Sequence, residues 1–435
     1  MNFTFPAKTK VFTYILMAIG LVALIVGFFT DSAPKGWVNP EEYHHMRWWA
    51  NLLVNGFFFY GIALGALFFY ALQYAAEVAW SAQLKRIFEA MYAFVPIGSL
   101  VLIFVFIGAS LHWNHLYHWM DESTYSEYIV ESTMETEHPE YFMEKEEAQE
   151  AEVSVVENPD FDHIIAGKHA YLNNMFFWIR TIVYLAVFWF AAKWFRRKSL
   201  QEDEEGGLKI HKLVFKRSAL FLVLFAFLSS ALAWDWLMSI DTHWFSTMYG
   251  WYSFSGMWVT TMIFSVALVL WLKGKGYLKT VNESHIHDMG KWMFAISLLW
   301  CYLWFSQYML IWYSNIPEEV VYFESRYANY MVPFFLMFGI NFAAPFFILM
   351  ARDAKRNTNY LMFVATLIFV GHFVDVYLMV IPGTMHDHNV FGLFEIGLAL
   401  GFLGLFIHVV LNALSKAPLV PVNNPYLEES KNHHI

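Results

Sequence analysis

Long apolar runs separated by short polar intervals organise this sequence from end to end. A helix needs ~20 consecutive, mostly apolar residues to cross the hydrocarbon core of a bilayer. Ten runs meet that length, starting near Val11, Trp48, Ile87, Tyr171, Ala219, Met248, Met289, Tyr327, Tyr360 and Phe391. The pattern predicts an all-α polytopic membrane protein with ten transmembrane helices, one integral membrane domain over residues 1–435. Lys8 and Lys10 precede the first run, but no small-residue cleavage site follows it. It therefore reads as a retained helix and not as a signal peptide. One polar interval is long, residues 112–170 between the third and fourth runs.

Composition narrows the class. Of 435 residues, 58% are hydrophobic and 15% charged, against about 25% charged in soluble domains. A soluble globular domain and a disordered chain are excluded. The net charge of −10, with no basic face, excludes a nucleic-acid partner. A single cysteine, Cys301, excludes a disulfide framework, a four-cysteine zinc site and an iron–sulfur cluster held by this chain alone. The charge is unevenly placed. Lys and Arg gather at the N-terminus, at Lys85 and Arg86, over 193–217, 273–291 and 352–356, and in the tail 416–435. The positive-inside rule makes these intervals cytoplasmic, with both termini on that side. An even number of spans requires the same. The 112–170 interval is then an extracytoplasmic loop, and its Asp121–Ala170 part holds 15 acids against two lysines. The run at Glu144–Glu147 is helix-prone, and no hydrophobic stretch there offers a core. The loop reads equally as a solvated insertion or as a docking surface.

Ionisable residues within membrane spans are costly and are usually functional. His112, Arg180, Asp235, His372, Asp375 and Glu395 fall toward the outer half of the predicted spans, and His408 toward the cytoplasm. His372 and Asp375 stand at i, i+3, on one helix face. Glu89 lies near the cytoplasmic start of the third run. A carboxylate beside a histidine suits proton uptake and release. Such a layer fits contacts to a quinol head group, whose oxidation releases two protons, or the outer part of a proton path. The alternative is internal pairing, with Arg180 neutralising Asp235 or Asp375. Haem is disfavoured, because only His372 and His408 lie well inside runs, and at different depths. His112, His115 and His118, with His386-Asp387-His388, have the residue types of a zinc or copper site. An interfacial aromatic belt explains them more simply, so no metal is assigned. Gly61 and Gly65, and Gly397 and Gly401, are small-xxx-small spacings that permit close helix approach.

Three stretches are more specific: 234–250 (Trp234-Asp235-Trp236 through Asp241-Thr242-His243 to Gly250), 305–319 (ending Ser314-Asn315-Ile316-Pro317-Glu318-Glu319), and Asn341–Phe346 followed by Arg352–Arg356. Here the chain resembles the membrane subunits of bacterial alternative complex III, within the NrfD/polysulfide-reductase membrane-subunit superfamily. The acidic loop is the part that departs from that pattern. The resemblance implies two four-helix bundles, runs two to five and six to nine, flanked by runs one and ten. It implies a multi-pass subunit of a respiratory quinol:cytochrome c oxidoreductase in the bacterial cytoplasmic membrane. Its partners would be a sister membrane subunit, an iron–sulfur subunit and c-type cytochrome subunits. Iron–sulfur clusters and haem c would belong to those partners, and menaquinone or ubiquinone would be the quinone. The family pattern falls most directly on Asp235, Asp241 and His243. In this reading Asp235 and the His372/Asp375 pair accept protons, Arg180 tunes them and Glu395 passes protons outward. The rivals are a structural anchor for the redox subunits and a secondary transporter. A transporter predicts matched Gly/Pro breaks in the two halves, whereas Pro96, Pro333 and Pro345 are scattered.

Overall fold

A computed structural model describes residues 3–34, 43–130, 142–143, 155–388 and 391–434. Ten of its helices are long and apolar enough to cross a membrane. They are span 1 (Ala7–Thr30), span 2 (Met46–Ala75), span 3 (Trp80–Ser110), span 4 (Asn174–Glu205) and span 5 (Leu208–Ile240). The rest are span 6 (Met248–Gly274), span 7 (Glu283–Ser314), span 8 (Met331–Leu349), span 9 (Thr358–Met385) and span 10 (Leu393–Leu414). The chain is an all-α polytopic membrane protein, as its apolar runs require. Polar caps set several of the ends. The side chains of Asn173, Asn282 and Asn357 accept first-turn N–H groups of spans 4, 7 and 9, which have no partner within the helix. Lys355 Nζ closes the other end of span 8, donating to the carbonyls of Leu349, Met350 and Ala351 at 2.5–3.0 Å.

Spans 2–5 pack in a ring, as do spans 6–9, and the rings meet where span 2 lies against spans 6 and 9 and span 5 against span 6. Spans 1 and 10 form a closely packed pair on the flank, with span 10 against spans 2 and 3. Span 2 is the centre: its most apolar window is 94% buried, against 22% for span 1. Apolar residues surround span 2 because it has neighbours on every side. Both termini lie on one face. Thr4 Oγ1 meets Tyr277 Oη at 3.4 Å, and Asn282 Nδ2 donates to the carbonyl of His433 at 2.6 Å. That side is called the termini face here, and the opposite side the loop face.

Several expectations shift. Tyr327 is not the start of span 8; it belongs to a separate helix, Pro317–Asn329, ended at Tyr330. That helix is held down by the buried Arg326, which donates to the carbonyls of Tyr322 and Leu378. Two spans are interrupted. Span 3 breaks at Ala93–Phe94, where Pro96 has no N–H for the carbonyl of Tyr92. Span 8 widens into a π-turn at Gly339–Ala343, where Pro345 likewise cannot bond the carbonyl of Asn341. Lys85 and Arg86 are not loop cations but are buried in span 3. Within the acidic loop the backbone forms a small antiparallel sheet of β1 (Tyr128–Val130), β2 (Phe142–Met143) and β3 (Val155–Glu157), with β1 in the middle. Tyr128 pairs with Met143 on one side and Glu157 on the other. Extended pairing needs only backbone groups, so a stretch without an apolar run can form it. Glu144–Glu147 lies outside the described residues.

Candidate functional site

Most of the candidate residues are neutralised by a specific partner. Asp235, fully buried at the loop-face end of span 5, accepts from Arg180 Nε at 2.7 Å and Nη2 at 3.0 Å, and from Tyr184 Oη at 2.7 Å. Arg180 also bonds the carbonyl of Tyr171 and lies over its ring. Glu395 accepts from Arg47 Nε at 2.7 Å and Nη2 at 2.8 Å, from Asn51 Nδ2 at 3.2 Å and from the Gly392 N–H at 2.7 Å. Two planar forks matched to two carboxylates are closed, charge-assisted contacts. The internal-pairing reading therefore describes Arg180, Asp235 and Glu395. His408 meets Thr13 Oγ1 at 3.1 Å, joining spans 10 and 1. His112 lies beyond the end of span 3, half exposed, against Asp121. His243 is exposed and donates to Asp162 at 2.5 Å, tying the loop between spans 5 and 6 to the acidic loop.

His372 and Asp375 differ. Both are about 1% exposed. Asp375 accepts from Tyr252 Oη and from Trp300 Nε1, the latter at 2.9 Å. His372 Nδ1 stands 3.6 Å from Asp375 Oδ2. Among the described residues neither ring nitrogen of His372 has a hydrogen-bond partner. Asp375 walls two cavities at once. One, a narrow, water-sized space, runs between spans 2, 6 and 9 and is lined by His372, Ser253, Thr260 and Gly61. The other, of similar size, is lined by Tyr252, Gln307, Tyr322 and Arg326. Ser253 Oγ in the first and Gln307 Oε1 in the second have no partner among the described residues. Buried polar groups of this kind are ordinarily satisfied by ordered water. The second cavity reaches Arg326, whose Nη2 donates to Asp241 at 2.9 Å. Asp375 and Arg326 thus line one cavity, and Arg326 pairs at its far side with Asp241.

The π-turn of span 8 borders the same region. Asn341 is fully buried, and among the described residues neither amide atom has a partner. Its Oδ1 would stand 2.1 Å from a Cβ at Gly371, next to His372. A side chain there would have to displace the Asn341 amide and the Ile340 methyl.

Sequence reasoning gave no role to Tyr252, Trp300, Gln307 or Tyr322. It also missed a buried charge network on the termini face. There Glu202 accepts from Lys85 Nζ at 2.6 Å and Tyr74 Oη at 2.9 Å, and Glu89 accepts from Arg86 at 2.6 Å and also from Arg196. The density of charge at Arg196–Asp203 was the available signal.

No protein-family model and no curated protein matches this chain.

Proposed function

We propose that this chain is an integral membrane subunit of a bacterial respiratory quinol:cytochrome c oxidoreductase of the alternative complex III type, and that it carries protons through the His372–Asp375 couple. The resemblance of residues 234–250, 305–319, 341–346 and 352–356 supports the class of complex. Its partners are then a sister membrane subunit, an iron–sulfur subunit and c-type cytochrome subunits. The charge distribution supports a cytoplasmic termini face and an extracytoplasmic loop face. Oxidation of menaquinol or ubiquinol sends two electrons to the iron–sulfur partner and releases two protons. This chain's part is to move protons: Asp375 exchanges them with His372 on one side and with groups of the Tyr322–Arg326 cavity on the other.

The observation that carries this reading is Asp375 itself. It is buried, is held by Tyr252 and Trp300 and not by a guanidinium or ammonium, and is shared by two cavities with unpartnered polar walls. A structural anchor has no use for such a group, since its buried acids would be closed as Asp235 and Glu395 are. A secondary transporter would break corresponding helices in the two bundles. Here the breaks fall in the second helix of one bundle and the third of the other.

The test uses the assembled complex in sealed vesicles. Asp375→Asn is expected to assemble normally but to slow quinol-coupled proton release by about 100-fold or more. Asp235→Asn, which strips Arg180 of its partner, is expected to reduce assembly and to leave turnover per assembled complex near normal. Normal quinol oxidation and proton release in fully assembled Asp375→Asn complex would sink the proton reading in favour of the anchor.

A further inference from the structure

The loop face gathers histidines in an unusual backbone conformation. Seven non-glycine residues among those described have positive φ, and four are histidines: His44 at 41°, His45 at 57°, His112 at 55° and His386 at 50°. A side chain in this region is sterically strained, and such strain clusters at functional sites. At His112 the cause is visible. The His112 N–H bonds the carbonyl of Ala109 at 3.1 Å, and the Trp113 N–H that of Gly108 at 2.8 Å. This tight turn ends span 3 and brings two imidazoles around one carboxylate. His112 Nδ1 lies 2.9 Å from Asp121 Oδ1, and His115 Nδ1 lies 2.9 Å from Asp121 Oδ2. One ligand atom from each of the three residues falls within 4.8 Å of the others.

We propose that His112, His115 and Asp121 form a binding site for a divalent transition-metal ion, with Zn²⁺ as the best-fitting occupant. Two imidazoles and one carboxylate are the donors such ions prefer, whereas Ca²⁺ and Mg²⁺ take oxygen ligands throughout. Zinc with three protein ligands keeps a fourth position for water. Tetrahedral bonds of ~2.1 Å place ligand atoms about 3.4 Å apart, so the observed contacts need to open by only half an ångström or so. Asp121 is fixed in position: its N–H bonds the carbonyl of His118, and its own carbonyl accepts from the Thr124 N–H and Oγ1. His112, at 53% exposed, leaves the site accessible from water. The ring of His44, 4.9 Å from that of His115, walls one side. The ligand set differs from the sequence grouping because His118 stacks on His386. The site stands apart from the Asp375 route, and its test does not depend on that reading.

The full chain, purified in detergent and stripped with EDTA, is titrated with ZnCl₂ in a calorimeter. The wild type is expected to bind one ion per chain. His112→Gln and His115→Gln are each expected to weaken binding by at least about tenfold, and His163→Gln, exposed on the same face, to leave it unchanged. His112 is surface-exposed, so its replacement does not threaten the fold, and an unchanged thermal melt confirms this. No stoichiometric binding by the wild type, or wild-type affinity in His112→Gln, overturns the site and leaves a hydrogen-bonded His–Asp–His cluster.

Discussion

Buried acids in this molecule are distinguished by their donors. Asp235, Glu395, Glu89 and Glu202 each accept from an arginine or lysine, while Asp375 accepts from a phenol and an indole and faces a histidine. A carboxylate locked to a guanidinium is a fixed charge. One held by neutral donors beside water-sized space can exchange a proton. Asp162 shows the first principle in an accessible setting. Burial pushes its carboxyl up, but the N–H groups of Ile165 and Ile164 and the His243 ring outweigh this and hold it below its ordinary value. The folded state then binds that proton more weakly than the unfolded state. Its stabilising contribution is full above the ordinary carboxylate range and is lost as pH falls through the folded value. Protection against hydrogen exchange over residues 158–170, relative to the unstructured rate at each pH, is therefore expected to hold from neutral pH down to that range and to fall in stronger acid. Loss of that protection already at mildly acidic pH would contradict the cap. At this scale the sequence showed which residues are ionisable and which run they sit in. It did not show that Arg47 would reach Glu395 or Arg326 reach Asp241.

Between elements, the closest approach joins spans 1 and 10. A Cβ on Gly20 would lie 2.3 Å from Gly401 Cα, and one on Gly401 2.4 Å from Gly20 Cα. Both obstacles are backbone, so neither can yield. Gly404 lies against Leu16 and Gly397 against Ala23 on the same seam. The Gly397/Gly401 spacing marked one half of this contact in advance, and Gly61 and Gly65 likewise face Met257 and Thr261. The matching position, Gly20, carried no such spacing. Gly401→Val is expected to prise the two helices apart and to destabilise the protein by about 1–3 kcal/mol. The measurement is the unfolding midpoint in detergent, and a wild-type midpoint would contradict the close packing. Helix ends followed local chemistry where an asparagine cap or a proline was present. They were misread at Tyr327, where an interfacial helix and a span run together as one apolar stretch.

For the whole molecule, charge and topology agree. The loops rich in Lys and Arg share a face with both termini, and the acidic loop lies opposite. A cysteine placed at Lys275 is expected to react with an impermeant maleimide only from the cytoplasmic side, and one at Lys168 only from the other. Cys301 is buried and does not interfere. Reaction of both from one side would refute the ten-span topology. The number of spans, the all-α class and the sorting of basic loops were all legible in the sequence. Each depends on local composition and a rise of ~1.5 Å per residue, so a run of twenty apolar residues declares itself without reference to the rest of the chain. Tertiary structure alone decided which acid meets a guanidinium or ammonium and which meets neutral donors. Periodicity tells which face of a helix a residue occupies but not which helix lies opposite. Arg47 and Glu395 are 348 residues apart and become a pair because span 10 packs on span 2. Among the described residues no guanidinium or ammonium reaches Asp375, because the side chains that spans 6 and 7 turn toward it are Tyr252 and Trp300.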